Sequence, residues 1–80
     1  ERAQLLQEAL REIPLDAQIA LELAYWEGLS GAEIAVTLEI EPGTVRSRLS
    51  RARDQLRDAV LALGGDAENL FGAAPAEAAD

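Results

Sequence analysis

The sequence predicts an all-α domain of four helices followed by a flexible C-terminal tail. Three observations predict it. Apolar residues recur at three- and four-residue steps through most of the first 63 positions, the period of a helix with one buried face. The apolar content is rich in Ala and Leu, with one Trp, one Tyr and one Phe in 80 residues. Proline and glycine punctuate the boundaries of the periodic runs, at Pro14, Gly28, Pro42 and Gly64-Gly65.

Taken in order, Glu1–Glu12 reads as the first helix, with Ala3, Leu6, Leu10 and Ile13 on one stripe and Arg2, Glu8, Arg11 and Glu12 pointing away. Pro14 ends it, because the residue before a proline is pushed out of the helical region. Asp16 is the expected cap of a second helix running to Glu27. Its apolar residues, from Ile19 to Trp26, cover more than one stripe, so it either packs on two sides or keeps an apolar patch for a partner. Gly28 is the helix stop. Ser30-Gly-Ala-Glu33 then spells a capping box, in which the Ser30 hydroxyl takes the Glu33 amide and the Glu33 carboxylate returns to Ser30. A third helix of about two turns follows, with Ile34, Ala35 and Leu38 facing inward, too short to stand alone. Pro42 suits the first turn of the fourth helix.

That fourth helix organises the chain. Val45, Leu49, Ala52, Leu56, Val60 and Leu63 make its core stripe. At roughly 100° per residue, Gly43, Arg46, Ser47, Ser50, Arg51 and Asp54 fall on the opposite side, and Arg48 and Arg53 flank the stripe at its two edges. Two helices joined by a tight turn, the second one basic, form a helix-turn-helix. The domain is expected over residues 1–63, and residues 64–80, Ala-, Gly- and acid-rich with Pro75, as a mostly disordered tail. Leu70-Phe71 is its one apolar pair, able to dock back or bind a partner.

Charge first argues against nucleic acid, with a net value of −8. The distribution answers that objection. Within residues 42–57 five arginines stand against Asp54 alone, a local +4, and the remainder carries −12. Phosphate at contact senses the local stripe, since fields are screened over about 10 Å in physiological salt. The acidic remainder still weakens non-specific binding.

Other chemistries are poorly supplied. The chain has no histidine, cysteine or lysine, so the usual nucleophile–base pairs, disulfides and thiolate metal sites are absent, and neither a catalytic nor a metal site is expected. Asp54 and Asp58 read as helix-surface partners of Arg51, Arg53 or Arg57. Pro42-Gly43-Thr44 lacks the glycines and lysine of a phosphate loop. Tyr25 and Trp26 read as core or rim packing rather than a base-stacking platform. No apolar run approaches the roughly 20 residues of a membrane span, no signal peptide is visible, and a cytoplasmic, non-enzymatic protein without cofactor is expected. With no methionine, the chain reads as a piece of something longer.

Gly28-Leu-Ser30, Glu33-Ile-Ala35, Gly43-Thr-Val-Arg-Ser-Arg-Leu49 and Arg51-Ala-Arg53 with Leu56 together resemble region 4 of a bacterial sigma factor, more narrowly of the extracytoplasmic-function class. The resemblance covers about Leu5 to Val60. It implies a four-helix domain whose last helix enters the major groove at the promoter minus-thirty-five element. The other helices would grip the β flap of RNA polymerase, and an anti-sigma factor would cover these surfaces. Carried over by position, Arg46, Ser47, Ser50 and Arg51 would face base edges, beside Gly43. Arg48 and Arg53, with Thr44 and Ser30, would hold phosphates. Leu23, Trp26 and Leu29 are the residues expected to dock on polymerase or an anti-sigma factor. No small-molecule substrate is implied. A promoter-melting domain is expected upstream.

The chain departs from the family pattern in three ways. Glu39 stands where a turn glycine is usual and is expected to take the left-handed conformation at some cost. Gln18 and Ala24 replace residues that are commonly basic, and the acidic tail is an addition. The alternatives are a response-regulator-type output domain, which shares the G-L-S…E-I-A opening but not the serine–arginine continuation, and a sigma-like interaction module that binds a flap or an anti-sigma factor without reading DNA.

Overall fold

The computed structural model describes residues 2–66, and over them the chain is helical: α1 (Arg2–Glu12), α2 (Leu15–Leu21, continued by a π-helical turn over Glu22–Trp26), α3 (Gly31–Leu38) and α4 (Pro42–Ala62). The expected tail beyond residue 66, with Leu70-Phe71, lies outside the described residues.

α4 is the hub, packing against α1, α2 and α3 in turn. Its stripe of Val45, Leu49, Ala52, Leu56 and Val60 is buried throughout. Around it sit Ala9, Leu10 and Ile13 from the first helix and its turn, Ala17, Ala20, Leu21 and Ala24 from the second, and Ile34 and Ala35 from the third. Small residues dominate the second helix's share, which lets its backbone approach α4 closely. Leu63 departs from the expected stripe. The helix ends at Ala62, so Leu63 leaves the helical path and stays 40% exposed.

Two helix ends share one device. At α3, the Ile40 N–H bonds the Ala35 carbonyl at 3.0 Å and the Glu39 N–H bonds Val36 at 3.2 Å. At α4, Gly65 N–H reaches Val60 at 2.9 Å and Gly64 N–H reaches Leu61 at 3.0 Å. These paired bonds form Schellman motifs, which need a left-handed residue just past the helix. Gly64 supplies it at φ 87, whereas at α3 Glu39 takes φ 58, as its position in the turn predicts. The Ser30 capping box is formed in both directions, with Glu33 N–H donating to Ser30 Oγ at 3.1 Å and Ser30 N–H donating to Glu33 Oε1 at 2.8 Å. Both ends of the short α3 are therefore closed, which fixes the turn into α4.

The second helix corrects two expectations. Its cap position is Pro14, not Asp16, whose Oδ1 accepts only the adjacent Ala17 N–H at 2.8 Å. Pro14 already holds the extended dihedrals of a cap, so helical geometry begins at Leu15, two residues earlier than a cap at Asp16 would give. The last turn is also wider than an α-helix, with Glu27 N–H bonded to Glu22 and Leu29 N–H to Leu23, both at 2.9 Å. Such a π turn inserts a residue into the helical register. Ala24 stays buried while Trp26 comes out 54% exposed.

The left-handed Glu39 costs about 1 kcal/mol relative to glycine, partly offset by the extra unfolded-chain entropy a glycine brings. Glu39→Gly should therefore raise the urea midpoint, by about 0.5–1 kcal/mol of stability. Leu49→Ala, at a site only 2% exposed, should lower stability by about 2–5 kcal/mol in the same measurement.

Candidate nucleic-acid interface

The turn geometry decides what the first half of α4 presents. Glu41 holds the cap position in extended conformation without a side-chain bond, and its carbonyl receives the N–H of Thr44 at 2.9 Å and of Val45 at 3.2 Å. Pro42 has no N–H to satisfy, so the helix starts without a side-chain cap. A Cβ built on Gly43 would meet nothing within 4 Å, leaving the backbone at this end open to an approaching ligand.

Burial of Val45, Leu49 and Ala52 turns Gly43, Thr44, Arg46, Ser47, Ser50 and Arg51 outward, and all six are exposed. Arg48 and Arg53 are half-buried, one at each edge of the stripe. Arg48 lies with Thr44, Ser47 and Arg51 in a cleft closed by Pro14 and Asp16 at the start of α2. Arg46 and Arg53 line a second cleft, on the α3 side, with Gly31 and Ala32. The four arginines from 46 to 53 therefore form a ridge with a flank on each side, and no carboxylate of α4 interrupts it before Asp54. Arg57 is spent on Asp54 through a 2.8 Å contact between exposed side chains, which adds little to stability. Ser47 Oγ donates back to the Thr44 carbonyl at 3.2 Å, which keeps that side chain close to its own helix. Ser30 starts α3; its Oγ accepts within the capping box, while its O–H remains able to donate.

Two contacts here were not anticipated from the sequence. Arg53 Nη1 donates to Tyr25 Oη at 3.3 Å, which ties the guanidinium to the π-helical turn. The partners are 28 positions apart, so no local pattern signals the contact. Gln18, at a position read as a lost basic residue, donates its Nε2 to the Leu10 carbonyl at 2.6 Å. It gives a short second bond to a carbonyl at the end of α1 that otherwise receives only the Ile13 N–H at 3.4 Å, and it joins the two helices. Leu15 and Ile19 are exposed on α2, so a helix that packs on both α1 and α4 also leaves apolar residues uncovered.

The three expected docking residues separate. Leu23 and Leu29 are half-buried against the core and joined by the Leu29 N–H to Leu23 carbonyl bond. Trp26 stands out beside the cleft between the first two helices, near Leu6, Leu10 and Glu22. Among the described residues no group of three or more Asp or Glu could hold a metal ion, and no helix is long and apolar enough to cross a membrane.

Comparison with known proteins fits this geometry. Residues 3–56, more than half of the chain, match the model of the family described as sigma-70, region 4. The chain is 51% identical over 53 residues to an ECF RNA polymerase sigma factor, SigE, of Mycolicibacterium smegmatis, covering 66% of this chain and 21% of that protein. It is 39% identical over 56 residues to the RNA polymerase sigma-H factor of Pseudomonas aeruginosa, covering 70% and 29%. With the ECF RNA polymerase sigma-E factor of Escherichia coli it shares 36% over 63 residues, covering 79% and 33%. The aligned part thus spans about a fifth to a third of these relatives. No solved structure matches the chain.

Removing the Gln18 amide leaves the Leu10 carbonyl with only the long Ile13 N–H bond, at 3.4 Å. Gln18→Ala should cost about 0.5–1.5 kcal/mol in urea unfolding, and the loss should be smaller in a double variant that also carries Leu10→Ala, which loosens the same junction.

Proposed function

The chain belongs to the sigma-70 region 4 family, in the form carried by extracytoplasmic-function sigma factors, and on that premise we propose that it recognises the promoter minus-thirty-five element and helps direct RNA polymerase to it. The observation that carries this reading is the division of α4 into a buried stripe and an exposed ridge with a half-buried arginine on each flank. A helix of this build fits the major groove, with its N-terminal turns on base edges and its flanks on phosphates. Arg46, Ser47, Ser50 and Arg51 read bases in this proposal. Arg48, Arg53, Thr44 and Ser30 hold the backbone, and Gly43 allows close approach. The activity is non-enzymatic and belongs to the bacterial cytoplasm.

A second surface supports partner docking. Trp26, with Leu15 and Ile19 exposed on the same helix, offers an apolar anchor of the kind that dominates binding energy at protein interfaces. We assign it to the polymerase β flap or to an anti-sigma factor. Leu23 and Leu29 shape that surface from below. The net charge of −8 favours a domain that binds promoters weakly alone and acts when polymerase holds it in place.

Selection of duplexes from a random pool tests the reading. Arg46→Ala should lose about 1–3 kcal/mol on the selected motif and relax preference at one position. Arg48→Ala should weaken all duplexes alike and reduce the salt slope by about 1. Identical profiles for the two variants would overturn the division between base and phosphate contacts.

A further inference from the structure

An arginine side chain has many rotamers, and fixing them on binding costs affinity. At Arg53 part of that ordering is already done in the folded domain. Arg53 is half-buried at the edge of the α4 stripe, next to the fully buried Ala52. Its Nη1 donates to Tyr25 Oη at 3.3 Å. Tyr25 is itself half-buried and packed against the core. It belongs to the π-helical turn, whose Glu27-to-Glu22 and Leu29-to-Leu23 bonds are both 2.9 Å, so its backbone is held. Two side-chain torsions leave such a ring little freedom.

At 3.3 Å the bond is longer than a charge-assisted one usually is, so it acts on direction more than on stability. A guanidinium carries five donors in a rigid planar fork, and fixing one nitrogen orients the plane and the other donors with it. Arg53 also lines the cleft on the α3 side with Arg46, Gly31 and Ala32. Ser30, read above as a phosphate contact, immediately precedes Gly31. The arginine that Tyr25 holds therefore stands on the same flank of α4 as Ser30.

We propose that Tyr25 is a positioning residue for DNA binding, its hydroxyl holding the Arg53 guanidinium on the α3 flank of α4, ready for a backbone phosphate. This inference rests on the DNA reading above and adds to it a residue that the sequence assigned to packing. Tyr25 acts through Arg53 and itself meets no DNA. The hydroxyl lowers the ordering cost of the phosphate contact, the advantage of any pre-organised group. Phosphate contacts carry no sequence information, so the effect is the same on every duplex.

Tyr25→Phe removes the hydroxyl and keeps the ring, so the packing of the turn survives. In the whole 80-residue chain without DNA, NMR relaxation should show Arg53 Nε–H becoming more mobile in this variant. Arg48 Nε–H, on the other flank, should be unchanged. At about 50 mM salt, Tyr25→Phe should weaken binding to all duplexes alike by about 3–10-fold, the loss that freeing one long side chain brings. Arg53→Ala should also weaken binding, and adding Tyr25→Phe to it should cost nothing further. An unchanged Arg53 signal would overturn the proposal. So would a Tyr25→Phe loss of the same size with Arg53→Ala in place, which would make the hydroxyl a support of the fold alone. Unchanged or tighter binding by Tyr25→Phe, while Arg53→Ala still weakens it, would sink the proposal and leave the DNA reading intact. If neither Arg48→Ala nor Arg53→Ala altered duplex binding, the DNA reading itself would fail, and the proposal with it.

Discussion

Everything in this domain depends on the burial of one stripe of α4. Leu49, Ala52 and Leu56 are each no more than 2% exposed, and all three other helices close over them. Apolar burial is non-directional, so by itself it would hold the helices together without setting which side of α4 faces out. The 3.6-residue period supplies that missing direction. Once Val45, Leu49 and Ala52 are inside, Arg46, Ser47, Ser50 and Arg51 have nowhere to point except solvent. The same residues that stabilise the fold orient the ridge, and the exposed basic face costs no separate structural element.

Aiming the helix is a second problem, solved in the turn before it. α3 is too short to persist alone, and its two ends are closed by different chemistry: a reciprocal capping box at Ser30 and a left-handed Glu39 at the other end. The strained glutamate shows how strongly the turn is determined. A residue that pays a steric cost keeps the conformation because Ile40 and Glu39 each complete a hydrogen bond there. Strain is tolerated where the surroundings over-determine the backbone. It also leaves two carboxylates, Glu39 and Glu41, at the start of a basic helix, consistent with a domain built for restrained rather than maximal attraction to phosphate.

The second helix serves both neighbours. Ala17, Ala20 and Ala24 let it lie close to α4, and Gln18 fastens it to α1 through the Leu10 carbonyl. The π turn at its end places Tyr25 against Arg53 and sends Trp26 outward. One local widening therefore sets both the Arg53 contact and the exposure of Trp26.

The sequence alone determined the four helices, the capping box and the outward face of α4, while the left-handed Glu39 was expected from the family's turn glycine. Each depends on contacts within a few residues, where periodicity and local hydrogen bonding leave a direct mark. Local signals also misled. Asp16 resembles a cap, but the extended Pro14 takes that position first, and Leu63 continues the stripe in sequence although the helix has already ended. Tertiary structure alone decided the Tyr25–Arg53 contact, the Gln18–Leu10 bond and the clefts on either flank of α4. These join residues on different helices, and their partners are chosen by how the helices cross. A pattern written along one helix fixes which way its side chains face, whereas what they meet is set only when the neighbouring helices pack.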